Sequence, residues 1–388
     1  MLALMAVGFG FAIARFFWGL GAVTHLDDQF PWGIWIAIDV ASGVALAAGG
    51  FTTAALAHIF HRERYEVVVR PALLTAVLGY TFVVLGLLVD LGRYYNVWHP
   101  MLPSMWSGHS VLFEVGMCVM FYLTVLYIEF LPIVVERFGG RVRLPRFPRA
   151  QRALEGVLSV LDRTLSRVMF VFVILGVVLS TLHQSSLGGL MVIAPSKVHP
   201  LWWSPILPLL FFLSAVSVGF PMVVFESMIT SRSMGRKPEM DVLAPLAKMV
   251  PVVLFIYLAF KVGDLTQRDA WKYLGQGGAQ PWMFLAEVTL GVVAPIIILS
   301  IERARRTPWL LFTGAALVVF GVLFNRINVF LTAYTPVYME TRYFPSIGEI
   351  AITVGLVAAL MFVYRVVITY FPILPVEEAE AAERGVRS

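Results

Sequence analysis

Ionisable side chains stand inside stretches of this sequence that are otherwise apolar. A charge near the centre of a lipid bilayer costs at least about 2.5 kcal/mol. Carboxyl and imidazole groups held there are the residue types that exchange protons with a bound substrate or with one another. The pattern therefore indicates chemistry inside a membrane, which a protein that only anchors others would not need. The residues concerned are Arg15, Asp39, Asp90, Glu114, Glu129, His183, Glu226 and Arg326.

Arg15 and Asp39 lie at similar depths on the first two predicted helices. Each is about 9 Å from the outer end of its helix, at the usual rise of about 1.5 Å per residue. The similar depth predicts an ion pair between them. Such a pair either fixes the packing of the two helices or lets Arg15 tune Asp39 as a proton donor and acceptor beside a substrate.

Three carboxylates lie in series along the predicted helices. Glu114 falls in the outer third of the fourth helix, Glu129 lies about 22 Å deeper on the same helix, and Glu226 lies toward the opposite surface on the sixth. One carboxylate toward each surface is the arrangement that a proton path needs. The alternative is that each is a buried carboxyl that is neutral or hydrogen-bonded.

The histidines and the single cysteine limit the cofactors that the chain can hold. His58 approaches one end of its helix whereas His109 and His183 approach the other, so the sequence offers at most one well-placed pair and argues against haem b. His58 and His61 have the spacing of a metal-binding pair, but no third ligand accompanies them, so no metal site is predicted. Cys118 alone forms neither a disulfide framework nor a thiolate cluster. We therefore expect no cofactor bound covalently or by metal ligation.

Long apolar helices must position these side chains. Hydrophobic residues make up 59% of the 388 residues and charged residues 14%, which is outside the range of soluble globular proteins. A membrane-spanning helix needs about 20 mostly apolar residues, whereas a barrel strand needs about half as many and would alternate. The sequence predicts an all-α integral membrane protein with about ten transmembrane helices in one polytopic domain, 1–371, and an acidic cytoplasmic tail, 372–388. The predicted helices are 2–21, 34–60, 70–91, 107–134, 164–185, 203–230, 242–262, 281–301, 308–333 and 347–371.

The connections between the helices differ in character on the two sides. Those on one side carry most of the Lys and Arg, which predicts that this side and both chain termini are cytoplasmic. The outer connections are rich in His and aromatic residues, as an ordered cap over a site would be, although the rings alone also fit an ordinary aromatic belt. After Pro148, apolar residues at helical spacing predict a separate interfacial helix. We also expect a weak duplication, with helices one to four and five to eight as two four-helix bundles beside two further helices.

Several long motifs resemble one known family. The sequence is similar over essentially its whole length to the polysulfide reductase membrane-subunit family, also called the NrfD family. Within that family it most resembles the integral subunit of type 2 nickel-iron hydrogenases. The motifs are PWGIWIAIDVASGVALAAGG (31–50), SMWSGHSVLFEVGMCVMFY (104–122), STLHQSSLGGLMVIAPSKVHPLWWSPILPLLFFLSA (180–215), VVFES (223–227) and NRINVF (325–330).

The resemblance implies a membrane subunit that reacts with quinone, such as menaquinone, and carries no redox cofactor of its own. It also implies two partners, a ferredoxin-like iron-sulfur protein on the outer face and a catalytic subunit such as a nickel-iron hydrogenase. The hydrogenase branch is called a b-type cytochrome subunit, a label that the poor pairing of histidines here calls into question. The positions that match the family's polar residues are Asp39, His109, Glu114, His183, Gln184, Glu226 and Arg326.

The sequence therefore predicts the quinone-reactive membrane subunit of a respiratory oxidoreductase complex, in the cytoplasmic membrane of a bacterium or archaeon. The basic residues follow the topology rule and give no indication of nucleic-acid binding. Two other classes stay open. One is a secondary transporter, although Pro221, Pro251 and Pro295 do not interrupt corresponding positions of two halves; the other is an anchor without chemistry. The predicted quinone-binding residues are His25, Asp39, His109, His183, Gln184 and Arg326, and the predicted proton pathway is Glu114, Glu129 and Glu226.

Overall fold

Helices account for most of the chain that the structure describes. The structure is a computed structural model, and it describes residues 1–59, 65–139, 148–233, 235, 237–339 and 342–373. The predicted acidic tail lies outside the described residues from position 374 onward, as do His61 and positions 140–147 of the basic connection. In chain order the helices are α1 Leu2–Trp18, α2 Trp35–Ala57, α3 Glu66–Asp90, α4 Val111–Phe138, α5 Pro148–Val192, α6 Leu207–Ser233, α7 Met240–Gln267, α8 Gln280–Ser300, α9 Pro308–Thr332 and α10 Ile347–Tyr370.

The helices have the length and composition of membrane spans. Within the described residues, nine are long and apolar enough to cross a membrane, and α1 is a shorter apolar helix. The prediction of an all-α, multi-pass membrane protein with about ten helices is therefore confirmed.

Helix α5 is longer than the sequence predicts. The apolar repeat after Pro148 belongs to this helix, which runs for 45 residues, and not to a separate interfacial one. A bend would need a proline or a similar interruption, and none stands between Arg149 and Arg167, where the apolar span begins. At about 1.5 Å per residue, the part of α5 before that span is about 28 Å long.

The ten helices form two four-helix bundles and one outlying pair. Helices α2 to α5 pack together as the first bundle and α6 to α9 as the second, with α2 contacting α6 and α9 between them. Helices α1 and α10 pack against each other and against α3. The expected two bundles plus two helices are therefore present, but their expected membership, one to four and five to eight, is wrong. A reason is visible at Gly8 and Gly355, where α1 and α10 approach so closely that a Cβ on Gly8 would lie 2.8 Å from the Gly355 Cα.

Helices α8 and α9 cross at a pair of glycines, which gives a first test of the fold. A Cβ on Gly291 would lie 2.7 Å from the Cα of Gly321, closer than carbon atoms approach. We expect Gly291→Ala to lower the free energy of unfolding by about 1–3 kcal/mol. The measurement is thermal unfolding of the purified protein in detergent.

Gly263→Ala is the matched control for this test. Gly263 lies in helix α7, and a Cβ there would meet no atom within 4 Å. Alanine is the better helix former by about 1 kcal/mol, so this variant should unfold at the wild-type temperature or slightly above it. Equal unfolding temperatures for the two variants would contradict the close crossing.

Candidate functional site

Buried polar side chains gather in three places near one end of the helices. We call the end that holds Trp18, Trp35 and Asp90 the outer end, following the orientation predicted from Lys and Arg. One group lies in the first bundle, one lies where α2 meets α10, and one lies in the second bundle.

The first group, the first-bundle cluster, joins all four helices of that bundle. His183 of α5 lies with its Nδ1 3.1 Å from the hydroxyl of Tyr80 on α3. The Tyr80 ring packs edge to face on Tyr122 of α4, with ring centroids 4.5 Å apart. The Gln184 amide donates to the carbonyl of Val44 on α2 at 2.8 Å. The sequence predicted His183 and Gln184, and the structure adds the two tyrosines.

Two polar atoms of this cluster have no hydrogen-bond partner among the described residues. They are His183 Nε2 and Gln184 Oε1, both on α5. Most buried polar atoms are paired, so each exception needs an explanation. An imidazole nitrogen and an amide oxygen suit a ligand that presents carbonyl or hydroxyl groups. His183 is 1% exposed and Gln184 0% exposed, so such a ligand enters only if the side chains of the first bundle move apart.

The second group centres on Asp39, which is buried near the start of α2. Its segment, Trp35–Ser42, is π-helical, a geometry found frequently at functional sites. The hydroxyl of Thr353 on α10 donates to Asp39 Oδ2 at 2.8 Å. Asp39 is therefore held by α10 and not by α1.

The predicted ion pair between Arg15 and Asp39 is wrong. Arg15 Nε donates to the carbonyl of Val89 at 2.5 Å, and its terminal NH2 group donates to the carbonyl of Leu91. These carbonyls belong to the end of α3, where a helix leaves acceptors unpaired and attracts a cation. Depth along a helix was read correctly from the sequence, but depth does not tell which way a side chain points.

Glu349 ties the outer connections to the start of α10. Its carboxylate accepts from the backbone N–H of His25 at 3.1 Å, from that of Ser346 at 2.8 Å, and from the Tyr343 hydroxyl. The Tyr343 oxygen in turn accepts from the backbone of Ile34 at 3.0 Å. Burial and the hydrogen bond to Glu349 raise the pKa of Tyr343 far above its usual value, so the phenol keeps its proton and donates it.

His25 takes part in this cap mainly through its backbone. Its side chain is exposed, with Nδ1 2.9 Å from the carbonyl of Phe344. The predicted ordered cap therefore exists, but it depends on Glu349 and Tyr343, which sequence reasoning did not select. The sequence signal for Glu349 was Ser346 three residues earlier, the spacing of a helix capping box, which the structure contains.

The third group, the second-bundle cluster, is built on a buried ion pair. Lys261 of α7 lies 2.5 Å from Glu287 of α8, and both side chains are more than nine-tenths buried. Glu287 also accepts from Trp202 at 2.7 Å, from Asn325 at 2.8 Å and from Asn328 at 2.9 Å. Sequence reasoning missed this pair because Lys261 stands at the very end of the predicted helix 242–262 and was counted with the outer connection that follows it. The apolar positions that continue past it to Leu265 could have shown that the helix goes on.

Arg326 belongs to the second-bundle cluster. Its guanidinium donates to Asn325 at 2.7 Å and to Ser214 of α6 at 2.8 Å, and it lies 3.6 Å from the centre of the Phe211 ring. Its Nε has no partner among the described residues. None of these contacts involves His183 or Asp39, so the structure does not bring Arg326 to the first-bundle cluster.

His109 and Glu114 lie apart from the other predicted residues. His109 is exposed in the connection before α4. Glu114 is exposed in the first turn of α4, because the helix begins at Val111 and is capped by Ser110, not at 107 as predicted. A carboxylate in the first turn complements the helix dipole. Glu114 therefore lies on the protein surface, inside the candidate span that begins at Val111, and its role on a proton path stays a prediction.

The two deeper carboxylates lie on separate helix contacts. The hydroxyl of Thr75 on α3 donates to Glu226 at 2.5 Å. Glu129 packs against Gly176 of α5, where an added Cβ would lie 2.5 Å from its Oε1. No hydrogen bond among the described residues joins Glu129 to Glu226 or either of them to Glu114, so the proton pathway stays a prediction.

Comparison with known proteins places the chain in one family. The family described as "Polysulphide reductase, NrfD" matches residues 22–337, and the chain belongs to this family. A relative from Escherichia coli, named "Probable Ni/Fe-hydrogenase 2 b-type cytochrome subunit", is 36% identical over 94% of this chain and 88% of its own length. A relative from Nitratidesulfovibrio vulgaris, named "Menaquinone reductase, integral membrane subunit", is 29% identical over 93% of this chain and 87% of its own. Protein NrfD of E. coli is 28% identical over 73% of this chain and 89% of its own.

The expectation that this chain holds no haem b is contradicted by the name of a relative. The E. coli relative that is 36% identical is named a b-type cytochrome subunit, whereas we had judged the histidines too poorly paired. Among the histidines whose side chains the structure describes, His183 is the buried one, and its Nε2 has no hydrogen-bond partner there. An unpaired imidazole nitrogen in an apolar bundle is the kind of ligand that haem iron takes, so His183 fits a b-type haem.

Proposed function

We propose that this chain is the quinone-reactive membrane subunit of a respiratory oxidoreductase complex. The names of the relatives support this proposal, because they are subunits of a hydrogenase and of a menaquinone reductase. None of the three relatives described above is named a transporter, so the redox role is favoured over transport. The partners that follow are an iron-sulfur protein on the outer face and a catalytic subunit. The membrane is the cytoplasmic membrane of a bacterium or archaeon.

The observation that carries the proposal is the two unpaired polar atoms in the first-bundle cluster. His183 and Gln184 are consecutive residues of α5, and their Nε2 and Oε1 atoms are buried in the first bundle without a hydrogen-bond partner among the described residues. A quinone combines an apolar ring with carbonyl oxygens, which become hydroxyls in the quinol. The imidazole serves both forms, because it donates to a carbonyl and accepts from a hydroxyl. The amide oxygen accepts from the quinol only.

Asp39 supplies the proton exchange in this proposal. It is a buried carboxylate near the outer end of α2, in the same bundle as His183. When quinol is oxidised, Asp39 takes the two hydroxyl protons in succession, passing the first toward the outer side before it takes the second, while the two electrons pass to the iron-sulfur partner. In the opposite direction Asp39 returns the two protons. His25 and Glu349 close the outer side above it.

A b-type haem in this chain would be held by His183 Nε2 and would supply one-electron transfer. Gln184 and Asp39 would then be the polar contacts of the quinone. The two roles of His183 are distinguishable by the visible spectrum of the complex.

His183→Leu in the intact complex tests the proposal. We expect quinone-linked turnover to fall at least tenfold, since a hydrogen bond to a reacting group contributes about 1.5–3 kcal/mol. Activity of the catalytic partner with a water-soluble dye should not change. Loss of a haem absorbance together with turnover would assign Nε2 to iron, and an unchanged spectrum would assign it to quinone.

His199→Leu is the matched control. His199 lies in an outer connection, half-buried, where its Nδ1 accepts from the backbone of Leu201 at 3.3 Å. Burial lowers the pKa of His199, which keeps it neutral and able to accept this bond. If His183→Leu retained full quinone-linked turnover, or if both variants lost it equally, the proposed site would be wrong.

A further inference from the structure

Helices α1 and α10 lie outside the part of the chain that the family matches. That part is residues 22–337, whereas α1 ends at Trp18 and α10 begins at Ile347. The pair nevertheless contacts the proposed site directly. Thr353 of α10 holds Asp39, and Glu349, one turn earlier, holds the outer connections. These contacts raise the question of whether α10 only packs against the first bundle or takes part in its chemistry.

The hydrogen bond between Thr353 and Asp39 is buried, and it engages one of the two carboxylate oxygens. Thr353 is 6% exposed and Asp39 9% exposed. The hydroxyl donates to Oδ2, and among the described residues no other hydrogen bond to this carboxylate is found. Gly86 of α3 also packs against this residue, so closely that an added Cβ would lie 3.0 Å from the Asp39 Cβ. The carboxylate is therefore fixed between α3 and α10 through one oxygen, which leaves Oδ1 for another group.

The neighbouring charged side chains Arg15 and Glu349 do not hold the Asp39 carboxylate in place. Arg15 donates its hydrogen bonds to the carbonyls of Val89 and Leu91. Glu349 carries the same charge as Asp39 and is used by the cap. The Thr353 hydroxyl is thus the group that orients Asp39.

We propose that Thr353 is a positioning residue for Asp39 and that α10 forms one wall of the quinone site. This inference rests on the proposed function. The hydroxyl donates to Oδ2 and turns Oδ1 toward the quinol hydroxyl, so that the proton passes from the quinol oxygen to Oδ1. Thr353 does not itself exchange the proton.

Thr353→Val tests the proposal, because valine keeps the shape and removes the hydroxyl. In the intact complex we expect kcat for quinone-linked turnover to fall about tenfold, because the variant loses one hydrogen bond to a charged group. KM for a soluble quinone should stay within about twofold, because Asp39 acts on the proton and the ring contacts are unchanged. Thr353→Ser should recover most of kcat, since it restores the hydroxyl.

Two further variants make the outcome decisive. Thr369→Val removes a hydroxyl from the same helix, where Thr369 is exposed and donates to the carbonyl of Arg365 at 2.7 Å; it should behave as wild type. Asp39→Asn separates the two claims. If Asp39→Asn abolishes quinone-linked turnover while Thr353→Val leaves kcat unchanged, the positioning role is wrong and the proposed function stands. If neither variant lowers turnover, the assignment of Asp39 in the proposed function fails.

Assembly must be checked for each variant, because α10 also packs against α1 and α3. Assembly is measured by co-purification of the partner subunits and by the unfolding temperature of the complex. If Thr353→Val fails to assemble, the comparison of Thr353→Ser with Thr353→Ala takes its place: a serine variant with wild-type kcat and an alanine variant with a reduced one support the proposal. Equal kcat in those two would overturn it.

Discussion

Lys261→Met is expected to destabilise the protein by about 3–5 kcal/mol, the cost of leaving one partner of a buried ion pair without the other. Glu287 would keep its bonds from Trp202, Asn325 and Asn328 but lose the cation 2.5 Å away. Removing both charges should cost much less, because a buried pair gains little over neutral groups of similar size. We therefore expect Lys261→Met combined with Glu287→Gln to recover at least half of the loss.

The measurement is thermal unfolding of the purified complex in detergent, with the two single variants and the double variant compared. The control is Lys272→Met, which breaks an exposed pair with Asp269 at 3.3 Å. Exposed pairs contribute about 0–1 kcal/mol, so this variant should unfold near the wild-type temperature. If Lys261→Met did the same, the pair would not be buried as described. A double variant less stable than both single variants would show that the charges are needed for more than their own pairing.

Asp39→Asn is expected to lower quinone-linked turnover at least 100-fold, the usual range for removing a positioned proton acceptor. Asparagine has nearly the same shape and can still accept from Thr353, but it cannot take a proton. Turnover of the catalytic partner with a dye should stay at the wild-type level, because that chemistry lies on another chain.

Asp28→Asn is the matched control for this substitution. Asp28 is exposed in the connection between α1 and α2, close in sequence but outside the bundle. Full activity is expected for it in both assays. Loss of dye-linked activity in Asp39→Asn would point to failed assembly, and unchanged quinone-linked turnover would remove Asp39 from the mechanism.

The sequence predicted the helices well because the bilayer imposes one strong requirement. Each span must be long and apolar, and interruptions such as Pro100 and Pro200 fall between helices. The wrong prediction of a separate helix after Pro148 concerns the part of α5 before its apolar span, where this requirement does not apply. Beyond the apolar span, nothing in the spacing of Leu158 and Leu161 distinguishes a helix lying on a membrane from one that continues straight.

The sequence predicted part of the site. Where the predicted and observed contacts differ, the side chain points in another direction around its helix axis than expected. His183, Gln184 and Asp39 are buried as expected. Arg15 and Arg326 are also buried, but they face other partners than those expected. The sequence fixes how deep a residue lies along its helix, whereas the neighbour that it meets depends on which helices pack together. The ion pair expected for Arg15 rested on depth alone, and depth leaves the direction around the helix axis open.

The unbroken course of α5 makes His183 part of a single rod about 67 Å long. One end carries the imidazole near the outer connections, and the other carries Arg149 and Arg152 beyond the apolar span. A helix without a hinge transmits rotation and tilt along its whole length. If ligand binding beside His183 moves α5, the opposite end of the helix moves with it. Binding of a ligand near the outer side of the membrane therefore changes the position of Arg149 and Arg152 on the other side.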